Sequence, residues 1–113
     1  MRFPHGVSAL LALAGAAGAL PASAADEAQL QRGKQVFQTA QPACMTCHTL
    51  QAAGAEGQIG PVLDELKPDA PRVLRALRGG IGIMPSYAER LSEADMQAVA
   101  AFVAHATGAS SGK

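Results

Sequence analysis

The sequence predicts a small all-α domain, and three observations carry that expectation. Apolar residues recur at helical spacing in three segments, near residues 26–39, 69–78 and 92–106, each with start or stop signals at its ends. The strand–helix–strand pattern that surrounds a Cys-x-x-Cys pair in a thioredoxin-like domain is missing. A chain of 113 residues allows one domain, and its opening segment reads as something other than that domain.

That segment reads as an export signal. Arg2 and His5 form a short polar start, and Val7 to Leu20 is a run of Ala, Leu and Gly, a length that suits a signal-peptide core better than a membrane span. Pro21 breaks the run, and Ala22-Ser23-Ala24 supplies the small residues a signal peptidase needs. The expectation is cleavage after Ala24, with residues 1–24 removed, 25–108 forming the domain and 109–113 a frayed Ser/Gly tail. The competing reading is an uncleaved membrane anchor; a lipoprotein anchor is disfavoured because no cysteine follows the run.

Asp26 to about Thr39 reads as the first helix, with Asp26 and Glu27 complementing the positive end of its dipole. Leu30, Gly33, Val36 and Phe37 share a face. Glycine in a helix interior costs roughly 1 kcal/mol relative to alanine. Gly33 is therefore expected to mark a close helix crossing rather than to be merely tolerated. Gln41-Pro42 ends the helix.

Cys44-Met45-Thr46-Cys47-His48 follows, and it carries the chemistry. On one helical turn both thiols face the same side, able to close thioether bonds on the two vinyl groups of one haem. His48 rises from the same face and can ligate the iron through the nitrogen not used for an outward hydrogen bond. A zinc site is a poor competitor, since His5 and His105 are the only other histidines and His5 lies in the export segment. A disulfide across two residues would close too short a loop to stabilise much.

Thr49 to Gly60 has three glycines and no sustained period, so it reads as a loop. Pro61 closes it and keeps a carbonyl, which suits the outward nitrogen of His48; an ordinary turn proline is the alternative. Asp69 caps a helix with Pro71 in its first turn, running to Arg78 and stopped by Gly79-Gly80. Val73, Leu74 and Leu77 are its apolar face. Arg72, Arg75 and Arg78 make a basic stripe, either a solvated face or a patch for an acidic partner or a haem propionate.

In Gly79 to Pro85, three glycines precede Met84-Pro85. A thioether held on such a loop is a soft ligand for the sixth iron position. Met45 lies inside the attachment turn and Met96 on a helix face, so Met84 is the expected distal ligand. Ser92 then caps a last helix to about Ala106, with Met96, Val99, Ala100 and Val103 on one face beside Phe102. The helix dipole accounts for His105 without a ligand role.

Composition narrows the partners. Formal charge is zero, and without Arg2 the chain keeps eight basic and nine acidic residues, so nucleic acid and anionic membrane surfaces are not favoured. Three Phe, one Tyr and no Trp make a slight core for a domain under about 100 residues. A large apolar disc such as haem would complete it.

Together these residues resemble class I c-type cytochromes, most closely small bacterial single-haem members. The resemblance rests on Gly33, Phe37, Cys44-x-x-Cys47-His48, Gly60-Pro61, Met84-Pro85 and Phe102. It implies a cytochrome c fold of three to five helices around one covalent haem c, with the first and last helices crossing. By the same resemblance, Cys44 and Cys47 carry the haem, His48 and Met84 ligate iron, and the Pro61 carbonyl orients His48. The function implied is electron transport in the periplasm between redox partners, a dehydrogenase as donor and an oxidase or another cytochrome as acceptor, with no catalysis of its own and no stable membrane insertion. The alternatives are a cytochrome subunit of a periplasmic dehydrogenase, for example one oxidising sulfite, and a haem-based sensor or peroxidase. The chain departs from many relatives in lacking a Trp for a propionate, and its rim lacks the lysine-rich surface of some mitochondrial members.

Overall fold

The helices nearest the two ends of the domain cross at a glycine, and the rest of the chain is wrapped around that pair. The structure, a computed structural model, describes residues 22–109 together with Arg2 and Gly6. In chain order the elements are α1 (Ala22–Thr39), α2 (Cys44–Cys47), β1 (Thr49–Leu50), a 3-10 turn (Gln51–Ala53), β2 (Ala55–Glu56), α3 (Leu63–Leu66), α4 (Ala70–Gly79) and α5 (Glu93–Thr107). The all-α expectation holds, with five helices and one minimal hairpin among the described residues.

A methyl group on Gly33 would stand 2.0 Å from the Ala98 carbonyl oxygen and 2.6 Å from Cβ of Phe102, so only a bare backbone lets α1 and α5 approach this closely. Phe37 and Phe102 meet edge to face at the crossing, with ring centroids 6.1 Å apart. Val36, Val99 and Val103 extend the same buried seam. Outside it, Arg32 forks onto the Asp95 carboxylate, Nε to Oδ1 and Nη2 to Oδ2, both at 3.0 Å.

α4 packs on α5 through buried Leu77 and is anchored at its far end by an Arg78–Glu93 ion pair. Its cap is the one expected: the Asp69 carboxylate accepts the Arg72 amide at 2.9 Å. At α5 the Ser92 hydroxyl accepts the Asp95 amide at 3.1 Å, but the Asp95 carboxylate is turned to Arg32, so the capping box stays half-formed. Gly108, with φ of 68°, closes α5 in the left-handed conformation.

Three local features differ from expectation. α1 begins at Ala22, a turn before Asp26, because alanine-rich sequence after Pro21 continues the helix. The export-signal assignment falls almost entirely outside the described residues, as does the tail beyond Ala109. Thr49 to Gly60 is not plain loop: β1 and β2 pair antiparallel, Thr49 with Glu56 and Leu50 with Ala55, across a 3-10 turn closed by Gly54 at φ of 63°. α3 is a single turn ending at Lys67, and it carries buried Leu63 into the core. Among the described residues no helix is long and apolar enough to cross a membrane.

Candidate functional site

The site has two walls. On the first, α2 is one helical turn, closed by the His48 amide bonding the Cys44 carbonyl at 3.0 Å. Cys44 is buried, Cys47 half-buried, and both are free thiols. Burial pushes the Cys44 thiol up to about 11. His48 leaves the helix extended, and its Nδ1 lies 2.8 Å from the Pro61 carbonyl oxygen. A carbonyl only accepts, so Nδ1 is the donor in this bond.

Glycines hold this wall in place. A Cβ on Gly60 would fall 2.6 Å from Cε1 of His48, so the chain lies directly against the ring, and the Gly60 amide bonds the Cys47 carbonyl at 2.7 Å. Gly57 presses on the backbone between Thr46 and His48 with the same closeness, and the Thr49 hydroxyl donates to its carbonyl at 2.8 Å. The hairpin thus serves as a strap over the cysteine turn.

The second wall is the loop after α4. Gly80, at φ of 68°, starts it, and a side chain there would meet the Met84 carbonyl. Ile81 and Met84 exchange two backbone hydrogen bonds, 3.1 and 2.9 Å, around Gly82 at φ of 56°, which places Met84 at the base of a tight turn. The Ser86 hydroxyl donates to the Arg78 carbonyl at 2.6 Å. The Tyr87 amide donates to the Leu77 carbonyl at 2.6 Å, and its hydroxyl crosses to the Pro42 carbonyl at 2.5 Å. Burial, with the nearby cysteines, pushes that hydroxyl up to about 12.

Between the walls lies a cavity of about 580 Å³. Cys44, Cys47, His48, Pro61 and Met84 all line it, together with Val99 and Val103 of α5. All five sequence-selected residues therefore meet in one space. Met45 and Met96 do not line it; Met96 is buried in the core, and His105 is exposed. Among the described residues the lining is mostly apolar and has no carboxylate, and Arg72 and Arg75 are its charged side chains. Ile59, Ile81 and Ile83 stand exposed at its border, by 64%, 71% and 85%.

Sequence reasoning missed the Tyr87 bridge and the contacts of Gly57 and Gly60. A lone tyrosine just beyond Met84-Pro85, and a glycine directly before Pro61, were the signals available. The residues fit a haem. The volume and apolar lining suit a flat macrocycle, two thiols on one turn suit its vinyl groups, and a histidine bound through Nδ1 and a thioether line the same space.

Comparison with known proteins agrees. No curated protein matches the chain. Among solved structures, the c-type cytochrome SorU from Sinorhizobium meliloti matches with a TM-score of 0.70 at 44% identity, over 76% of this chain and 99% of that one. The family described as cytochrome c oxidase, cbb3-type, subunit III matches residues 28–103, from α1 into α5 and through both walls of the cavity. The chain belongs to that family and is a small c-type cytochrome.

Proposed function

We propose that this chain is an exported, periplasmic electron carrier with one covalent haem c. Cys44 and Cys47 form the thioethers, His48 and Met84 are the axial ligands, and the Pro61 carbonyl orients His48. The observation that carries the reading is the His48 ring, tied through Nδ1 to Pro61 at 2.8 Å, sharing one apolar cavity with both cysteines and Met84. When bound, haem supplies a one-electron ferric/ferrous couple whose potential His/Met ligation raises. The chain's own residues do the rest: the cysteines fix the ring covalently, Pro61 and Gly60 fix the imidazole plane, the turn at Ile81–Met84 holds the thioether, and the apolar lining excludes water. The family match supports a carrier rather than a catalyst. Removal of residues 1–24, leaving a domain over 25–108 and a short tail, belongs to the same proposal.

The test is a reduced-minus-oxidised spectrum with a pyridine haemochrome assay on protein exported during expression. The expected result is one haem bearing two thioethers, with the weak far-red ferric band of a thioether–iron bond. A spectrum without that band would favour a sensor or peroxidase with a displaceable sixth ligand. A mass beginning near Ala25 checks the cleavage.

A second reading makes the chain the electron-accepting subunit of a periplasmic dehydrogenase, for example one acting on sulfite. Exposed Ile59, Ile81 and Ile83 beside the cavity favour it, because apolar side chains grouped there are suited to burial against a larger chain. Gentle purification decides: elution with a catalytic chain supports the subunit, elution alone the shuttle.

A further inference from the structure

We infer that Arg90 is a positioning residue that opposes loss of the Met84 thioether from the iron, acting through the main chain ahead of Cys44. The inference rests on the proposed His48/Met84 ligation and concerns what holds the two walls of the cavity together. Gln41 and Pro42 lie between α1 and α2, outside any helix or strand, and Pro42 has no amide to give. Their carbonyls are therefore the groups by which this stretch is fastened.

Both are fastened from one turn of the opposite wall. Arg90 Nη1 donates to the Gln41 carbonyl at 3.1 Å, and the Tyr87 hydroxyl donates to the Pro42 carbonyl at 2.5 Å. The turn that carries both side chains is closed by the amides of Arg90 and Leu91, each bonding the Tyr87 carbonyl at 2.9 Å, and the Tyr87 amide ties it to Leu77 of α4 at 2.6 Å. Two bonds, spanning 49 and 45 residues of sequence, thus join the exit of the methionine loop to the entrance of the cysteine turn. Moving the methionine wall away from the cysteine wall breaks both. Tyr87 is the buried arm of this latch and Arg90 the exposed one. The exposed arm can be removed without opening the core, so it isolates the latch from packing.

The experiment is imidazole binding to the exported ferric holoprotein, followed by loss of the far-red thioether–iron band, because imidazole takes the sixth position only when Met84 leaves it. Arg90→Met should raise the apparent association constant about three- to tenfold, the worth of one ordinary hydrogen bond, and Tyr87→Phe should raise it as well. Arg90→Lys, which keeps a donor for the Gln41 carbonyl, should restore part of the wild-type resistance. Arg32→Met is the control, since Arg32 borders the same surface recess as Arg90 but pairs with Asp95 of α5 instead of the segment before Cys44. It should lower the unfolding midpoint and leave imidazole binding unchanged. Wild-type affinity in Arg90→Met overturns the inference, as does an equal rise in Arg32→Met, which would mark a general loss of stability. If Arg90→Met does not mature, Arg90→Lys and Tyr87→Phe are read in its place, and wild-type affinity in both overturns the inference. A wild-type ferric spectrum without the far-red band would instead overturn the Met84 ligation beneath it.

Discussion

Gly33 of α1 lies so close to Ala98 of α5 that an added methyl group would stand 2.0 Å from its carbonyl oxygen. No rotamer relieves a backbone clash, so the helices themselves must part. Gly33→Ala should destabilise the holoprotein by about 3 kcal/mol, the upper end for overpacking. Guanidinium unfolding should show a lower midpoint with an unchanged slope, and an unchanged midpoint would mean the crossing tolerates a side chain.

Gly60 and Pro61 should behave differently although they are adjacent. Gly60→Ala drives a methyl into the His48 ring, 2.6 Å from Cε1, and should weaken axial ligation, seen as a high-spin component in the ferric spectrum. Pro61→Ala retains the carbonyl that accepts from Nδ1 and should stay close to wild type. The reverse order of severity would refute the assigned role of that carbonyl.

Tyr87 sets an alkaline limit. Its hydroxyl is pushed up to about 12, first by burial, so the neutral form is the one the fold prefers. The corresponding stability is complete below the ordinary tyrosine range of about 10 and drains away as pH rises through about 12. Tyr87→Phe should cost about 1–3 kcal/mol at neutral pH, since the Pro42 carbonyl loses its donor. The variant should also lose less stability than wild type between about pH 10 and 12. Parallel pH profiles of unfolding would count against this assignment.

Asp95 gives a smaller effect of opposite sign. The Arg32 guanidinium holds its carboxyl below the usual carboxylate range, so the pair stabilises the fold above about pH 4 and ceases to do so as pH falls through the lowered value. Asp95→Asn should be slightly less stable at neutral pH and converge on wild type in acid. Because the pair is exposed, added salt should shrink the difference.

Cys44→Ala/Cys47→Ala, unable to retain haem covalently, should lack a cooperative unfolding transition. Among the described residues the buried core contains two Phe and one Tyr as its aromatics, and the cavity of about 580 Å³ opens against it. A sigmoidal urea curve for this variant without haem would show the protein core to be sufficient alone.

What could be read from the sequence was local and strongly marked. Asp69 and Ser92 cap helices through hydrogen bonds within four residues, so their identities locate the helix starts. Gly33 was legible because a glycine between Leu30, Val36 and Phe37 needs a reason, and the crossing supplies it. The hairpin at Thr49–Glu56 was not legible, since two-residue strands are too short to display alternation. α3 is one turn and carries no period either. Tyr87 was visible only as an unassigned aromatic, because its partner is the Pro42 carbonyl, and main-chain oxygens leave no trace in sequence. The split of the arginine stripe, two members lining the cavity and Arg78 paired with Glu93, depends on how α4 is rotated against α5.

Tyr87 has a kinetic consequence. Its amide is fastened to α4 and its hydroxyl to the segment before α2, so one residue braces the methionine wall against the cysteine wall. Under the proposed ligation this brace would tie together the two segments that hold His48 and Met84. A brace of that kind would keep nuclear motion small when the oxidation state changes, the condition for a low reorganisation energy.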